Sequence, residues 1–231
     1  MQPDLTEFQN KIGITFNDKS LFQQAFIHRS YINENKASGL SHNERLEFLG
    51  DAVLELVITD FLYKKYTDKP EGELTSLRSA LVNADTCASI ATELGMGDYL
   101  LLSKGESKDT GRARQYILAN ALEALIGAIY LDLGVESAKG FIEAHFIPLI
   151  DKIISAKSFI DAKSLFQEKA QEFDGITPAY KTVRESGPDH EKKFTVGVYL
   201  NKELVATGEG VSKQEAEQNA AKEALLKRGW Q

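Results

Sequence analysis

The sequence predicts an all-α domain over residues 1–155 followed by a small α+β domain over residues 156–231, and three observations carry that prediction. Apolar residues before position 155 recur at helical spacing and almost nowhere alternate with the period of a strand. Later, Phe194, Val196, Val198 and Leu200 alternate with Thr195, Gly197 and Tyr199, the pattern of a half-buried strand. Charge divides at the same place: residues 1–155 hold 15 basic and 22 acidic residues, and residues 156–231 hold 12 of each.

In the first part, Leu21, Ala25, Phe26 and His28 open a helical pattern. From Arg45 to Tyr66 there is no Pro and one Gly, with apolar residues on most faces, which predicts a long and largely buried helix. Leu74 to Leu94 reads as one further helical run, ended by Gly95 and Gly97. Gly105 to Arg114 reads as a polar loop. Tyr116 to Leu133 is a long apolar helix stopped at Gly134, and residues 136–154 supply one more.

The second part begins with a helix from Ala162 to Phe173, broken by Thr177-Pro178. Tyr180, Thr182 and Val183 mark a first strand, and Gly187-Pro188-Asp189 turns the chain into the alternating run at 194–200. Asn201-Lys202 makes a tight turn into a third strand, Glu203 to Glu209. Ser212 then caps a last helix carrying Ala216, Ala220, Ala221 and Ala224. The order is α-β-β-β-α, and the linker is expected near Ser155 to Phe159.

Composition excludes several classes. With 231 residues the chain can bury a core without disulfides. Its 42% apolar and 26% charged residues are near the globular average, against disorder or a collagen-like fibre. A single cysteine, Cys87, excludes an intrachain disulfide and fits a reducing compartment, the cytoplasm. The N-terminal MQPDLTEFQNKIG has no apolar core and reads as no secretory signal. The weakly charged stretch from Gln115 to Leu131 contains Asn120 and Glu123 and is short for a membrane span, so no membrane partner is expected. His28 and His42 lack the spacing of a zinc site, and Cys87 has no CxxC partner. The net charge of −7 weighs against a nucleic-acid partner for the chain as a whole. The acid excess lies entirely in the first part, as either a soluble surface or a cluster that holds cations.

The segment HNERLEFLGDAVLELVITDFL puts Glu44, Glu47 and Asp51 at i, i+3 and i+7, within about 60° of one another on a helix. Apolar residues cover most other directions, and buried carboxylates need a partner. Asn120 and Glu123, at i and i+3, repeat the arrangement on the second long helix, where Glu123 is the sole charge between Arg114 and Asp132. Two such helices face to face either surround a hard cation, Mg²⁺ or Mn²⁺, or form a metal-free polar network. A metal there suits phosphodiester hydrolysis, activating water and steadying the leaving oxygen.

HNERLEFLGDAVL resembles the signature of bacterial ribonuclease III, and ANALEALIGAIYLD resembles the second acidic motif of that family. The resemblance spans essentially the whole chain, and the second part is similar to the double-stranded-RNA-binding domain. It implies a helical endonuclease domain joined to an RNA-binding domain. It also implies a homodimer that cuts both strands of duplex RNA with Mg²⁺, Mn²⁺ substituting, and uses no small-molecule cofactor. The products would carry 5′-phosphate and 3′-hydroxyl ends, and the role would be processing of ribosomal and other RNA precursors. By residue match, Asp51 and Glu123 stand at catalytic positions, and Glu47, Asp51, Asn120 and Glu123 at metal positions. Glu71, in KPEGELTSLRSALV, matches an acid that approaches the site across the dimer, and Glu44 an acid of more structural role. Phe48 matches a dimer-contact position, with a core phenylalanine as the alternative.

One position departs. The family has Asp where this chain has Asn120, which keeps shape and one carbonyl oxygen but loses a negative charge. The expectation is impaired catalysis on an intact fold, with a non-cleaving duplex-RNA-binding protein as the alternative. For RNA contacts, Ser164, Gln167 and Glu168 match the helix that enters one minor groove. His190, in GPDHEKKF, matches the loop that reaches the next, and Lys213 the phosphate contact at the start of the last helix. Gln214 and Glu217 stand where this motif often carries further bases, so weak isolated binding is expected. Lys104, Lys108, Arg112 and Arg114 cluster before the second acidic helix, either to hold RNA backbone beside the acids or as an ordinary charged loop.

Overall fold

In the computed structural model, which describes residues 4–155, 162–188 and 192–230, the chain divides into two units, Met1–Phe159 and Ile160–Gln231. The expected linker from Ser155 to Phe159 lies mostly outside the described residues.

The first unit opens with three short helices, α1 (Leu5–Ile12), α2 (Lys19–Gln24) and α3 (Arg29–Glu34). Each is capped by the side chain just before it, Asp4, Asp18 and His28 respectively, which accepts an otherwise orphaned backbone N–H. Phe8 meets Phe26 edge-on at 5.1 Å and Phe16 stacks on Phe22 at 4.3 Å, closing one end of the core.

Helix α4 (Glu44–Lys65) starts from Asn43, which is 2% exposed. Its side-chain amide donates to the Ala25 carbonyl at 3.0 Å and its backbone N–H to Ile27 at 2.9 Å, so the helix is anchored where it begins. The run expected from Leu74 to Leu94 is two helices, α5 (Glu71–Leu81) and α6 (Ala84–Glu93). Asn83 divides them: its amide donates to Ser79 and Ala80 carbonyls while its oxygen accepts from Thr86 N–H. Helix α7 (Arg112–Phe146) begins inside the expected loop, and at Gly134, with φ 83° and ψ 177°, the backbone leaves the helical region, so the expected stop there divides it into two helical segments. A short helix, α8 (Ile150–Ser155), follows. The stretch Arg112–Ser155 is apolar enough to cross a membrane by length and composition, yet 61% of its apolar window is buried in this domain.

Helices α4 and α7 form the centre, and they touch through glycine. A Cβ on Gly50 would lie 1.7 Å from the Glu123 carbonyl oxygen, and one on Gly127 2.3 Å from that of Leu46. No other residue fits either place, so the two backbones meet directly. Helix α4 is less buried than its sequence suggests. Phe48, Leu56 and Tyr63 are 81%, 64% and 72% exposed, and with Ala52 they fall within about 80° of arc on one face.

The second unit is α9 (Ala162–Asp174), a three-stranded antiparallel sheet in the order β1 (Ala179–Ser186), β2 (Lys193–Leu200), β3 (Glu203–Gly210), and α10 (Lys213–Arg228). Asn201 takes the left-handed conformation, φ 54°, in the β2–β3 turn. The alanines of α10 are buried against the sheet, where a Cβ on Gly208 would lie 2.1 Å from the Ala220 nitrogen. Phe166, Trp230 and Phe173 stack in series at 5.5 Å spacings to close the other side.

Candidate functional site

The glycine crossing sets Glu47 and Asp51 of α4 against Asn120 and Glu123 of α7. The Asn120 amide hydrogen-bonds the Glu47 carboxylate and favours its ionised form. Burial opposes this most strongly, followed by the charges of Glu44 and Asp51, and the net effect holds the Glu47 carboxyl above its ordinary range. Glu123 is pushed further, to about 7, first by burial and then by Asp51 and Glu47. The site is therefore a set of carboxyl groups that repel one another.

Glu44 is set apart from them by its partners. Arg29 contacts its carboxylate at 3.1 Å and His42 at 3.7 Å. Glu71, exposed at the start of α5, accepts from the Thr75 hydroxyl at 3.1 Å. It is not among the charges that act on Glu47 or Glu123 within one chain. Among the described residues no three of His, Cys, Asp and Glu draw close enough to enclose a metal unaided. Cys87 is fully buried behind the acids, and burial with the charges of Glu123 and Asp51 drives its thiol pKa far up, so it stays neutral.

The basic residues before α7 are not one loop. Lys104 and Lys108 are exposed, the first before a 3₁₀ turn, Glu106–Lys108, and the second at its end. Arg112, also exposed, lies in the first turn of α7 over the Tyr116 ring, 5.9 Å from its centre. Arg114 points inward, donating to the Gly97 carbonyl at 2.9 Å, and so belongs to the fold. Ser30 has no signal in the sequence and His28 is read there only as part of a helical pattern and as no zinc ligand, yet together they fix the base of this segment. The Ser30 hydroxyl accepts the Ser103 N–H at 3.0 Å and lies 2.8 Å from His28 Nδ1. Nothing in their spacing signals that contact, which spans the whole of α4 to α6.

In the second unit Ser164, Gln167 and Glu168 are exposed together along α9, where with Gln171 and Glu172 they line a shallow groove. Lys213 is exposed at the first turn of α10 and contacts Glu185 at 3.2 Å. His190 lies outside the described residues.

Residues 18–150 match the family model described as Ribonuclease-III-like, and residues 162–228 match that of the double-stranded RNA binding motif. A protein named Ribonuclease 3 from Pelotomaculum thermopropionicum is 45% identical over 226 residues, spanning 98% of this chain and 94% of its own length. Another of that name, from Enterococcus faecalis, is 45% identical over 220 residues, spanning 95% of each chain. The solved nuclease domain of ribonuclease III from Campylobacter jejuni, described for flexibility in its dimer-forming region, superposes with a TM-score of 0.56. It is 40% identical and covers 62% of this chain and 99% of its own.

Proposed function

This chain belongs to the ribonuclease III family and is an endoribonuclease, and from that premise we propose that it acts on double-stranded RNA as a homodimer with Mg²⁺ bound among Glu47, Asp51, Asn120 and Glu123. The observation that supports this reading most is the glycine contact of α4 with α7, which sets Glu47 and Asp51 across from Glu123 near enough for their charges to raise its pKa. The donor set is all oxygen, which suits a hard cation, and mutual repulsion is what such a cation relieves. When bound, the metal lowers the pKa of a water and stabilises charge on the phosphate oxygens.

The protein's own groups divide the remaining work. Glu47 and Asp51 present two carboxylates from adjacent turns of one helix, and Glu123 a third from the facing helix. Glu44, tied to Arg29, keeps the start of α4 in place. The exposed face of Phe48, Ala52, Leu56 and Tyr63 suits a second copy of this chain, which would bring a second set of acids to the other strand of the duplex. Lys104, Lys108 and Arg112 then offer positive charge to the RNA backbone, and the second domain grips the duplex through Ser164, Gln167, Glu168, His190 and Lys213. The products are 5′-phosphate and 3′-hydroxyl ends, and the setting is RNA-precursor processing in the cytoplasm.

Asn120 favours a second reading for this chain. Its amide N–H is turned to Glu47, so a donor stands where a metal asks for a charged acceptor. The expected behaviour is capture of duplex RNA with slow cutting, and at the limit a duplex-RNA-binding protein that does not cut. Cleavage of an end-labelled duplex in Mg²⁺, run beside binding of the same duplex in EDTA, separates the two. Binding without any cleavage at saturating Mg²⁺ selects the second, and absence of binding rejects both.

A further inference from the structure

Over its middle, helix α7 meets solvent along one narrow stripe. From Ile117 to Ile129 every residue is buried except Asn120 and Glu123, which are half-buried. At 100° per residue, Arg112, Tyr116, Asn120 and Glu123 fall within about 80° of arc. The opening over the acids therefore continues one turn outward to Tyr116 and one more to Arg112. Tyr116 is 48% exposed, and a single turn sets it about 6 Å along the axis from Asn120.

Core packing does not account for this ring. Tyr66, Tyr99 and Tyr130 of the same domain pack against the core, and Tyr116 does not. Its one neighbour of note is the Arg112 guanidinium, 5.9 Å from the ring centre, near the limit at which a ring attracts a cation. Among the described residues its hydroxyl makes no hydrogen bond. A polar tip, an apolar face and a positive charge thus stand together at the outer end of the stripe that holds Asn120 and Glu123.

We propose that Tyr116 packs against the ribose next to the phosphate held at the acids and reads its 2′-hydroxyl, with Arg112 on the adjoining phosphate. An RNA strand alternates phosphate and ribose, so a site that takes one phosphate has a sugar immediately beside it. The tyrosine ring offers that sugar an apolar body. Its hydroxyl both donates and accepts, as the 2′-hydroxyl does, and the wide minor groove of an A-form duplex displays that group. Arg112, stacked on the ring, steadies it and supplies the charge for the next phosphate. The consequence is a test of sugar identity at the cut itself, separate from the shape read by the second domain. The inference rests on the reading that these acids cut duplex RNA, and it names the sugar specificity of that same site.

The test is single-turnover cleavage in Mg²⁺ by the full chain and by its faster-cutting Asn120→Asp form, each with Tyr116 and with Tyr116→Phe. The substrates are one all-ribose duplex and a set carrying a single 2′-deoxy nucleotide at each position flanking the cut. With Tyr116 present, one of these positions should slow cutting by about 3–10-fold, the worth of a hydrogen bond. Tyr116→Phe keeps the ring and removes the hydroxyl. It should slow cutting of the all-ribose duplex by the same factor and erase the penalty at that one position, while penalties elsewhere persist. A ring that merely shapes the surface, or that a second copy of this chain covers, would make Tyr116→Phe act on every duplex alike, and that result overturns the inference. So does a penalty that survives Tyr116→Phe, or the absence of any 2′-deoxy penalty beside the cut. In each of those cases cutting by the unaltered site leaves the endonuclease reading intact. No cleavage by either the Asn120 chain or Asn120→Asp removes that reading and the inference with it.

Discussion

Replacing Asn120 with Asp should destabilise the metal-free protein and make it a better enzyme. The substitution does two things at once. It removes the hydrogen bond from the Asn120 amide to the Glu47 carboxylate, which is only half-buried, so that solvent screening holds the loss to about 1 kcal/mol. It also adds a carboxyl group beside Glu47, whose pKa is already raised by burial, Glu44 and Asp51. The new group can escape repulsion by taking up a proton, and holding a proton on an aspartate at pH 7.5 costs at most about 5 kcal/mol. The metal-free variant should therefore lose about 2–5 kcal/mol. For a domain of this size that lowers Tm by about 5–15 °C. Mg²⁺ should reverse the order, because the added charge is attractive to a cation and the lost donor no longer faces it. Ligand changes of lesser kind alter metal affinity or activity ~10–100-fold, so Asn120→Asp should bind Mg²⁺ at least about 10-fold more tightly. The assays are thermal unfolding in EDTA and across a Mg²⁺ titration, and single-turnover cleavage of one duplex by both proteins. Duplex binding in EDTA should not change. Equal Tm in EDTA together with equal Mg²⁺ dependence of cleavage would refute the reasoning, since position 120 would then be neither a partner of Glu47 nor a ligand.

Three further outcomes are expected. Gly50→Ala forces a methyl group into the α7 backbone, where a Cβ has 1.7 Å to the Glu123 oxygen, and should cost about 3 kcal/mol or more, read as a large fall in Tm with Mg²⁺ rescue lost. Phe48→Asp should leave the nuclease domain folded but yield a monomer in sedimentation, because it charges the centre of the exposed apolar face; a dimer of unchanged affinity would reject that face as the contact. For pH, Glu123 has a folded-state pKa of about 7, above its ordinary value, so burial of its protonated form stabilises the metal-free protein at low pH, and that contribution fades as pH rises through 7. Glu123→Gln should remove the fade, so in EDTA its Tm advantage over the unaltered chain grows from pH 5 to pH 8; a constant difference would count against it.

The acids were legible in the sequence because charge in an apolar helix is conspicuous and helical spacing is simple to read. Glu47, Asp51 and Glu123 needed no structure to be picked out. What the spacing concealed was environment. The apolar residues of α4 look alike in sequence, yet Leu54 and Ile58 are buried in the core while Phe48 and Leu56 face outward, because one side of the helix has no partner among the described residues. Arg114 and Arg112 are neighbours in a basic cluster, but a carbonyl at Gly97 claims only the first. The break at Asn83 went unread since Leu74 to Leu94 contains neither Gly nor Pro, and capping depends on which amides are left open. The meeting of Glu185 with Lys213 joins a strand to a helix across the intervening sheet, and no local pattern encodes it. The middle strand was readable because apolar side chains alternate along it, although its burial does not: Val196, Gly197 and Val198 are all buried.

The contact of Gly50 with Gly127 acts as a gauge. In most helix pairs the spacing is set by side chains, and it drifts when one of them is exchanged or changes rotamer. Here it is set by peptide groups in van der Waals contact, whose dimensions do not vary. Substitutions elsewhere in the core can therefore accumulate, and the protein can loosen or warm, while the separation between Glu47 and Asp51 of α4 and Glu123 of α7 stays fixed. The chemistry proposed for these side chains would be calibrated by the absence of two others, with the rest of the domain free to change around it.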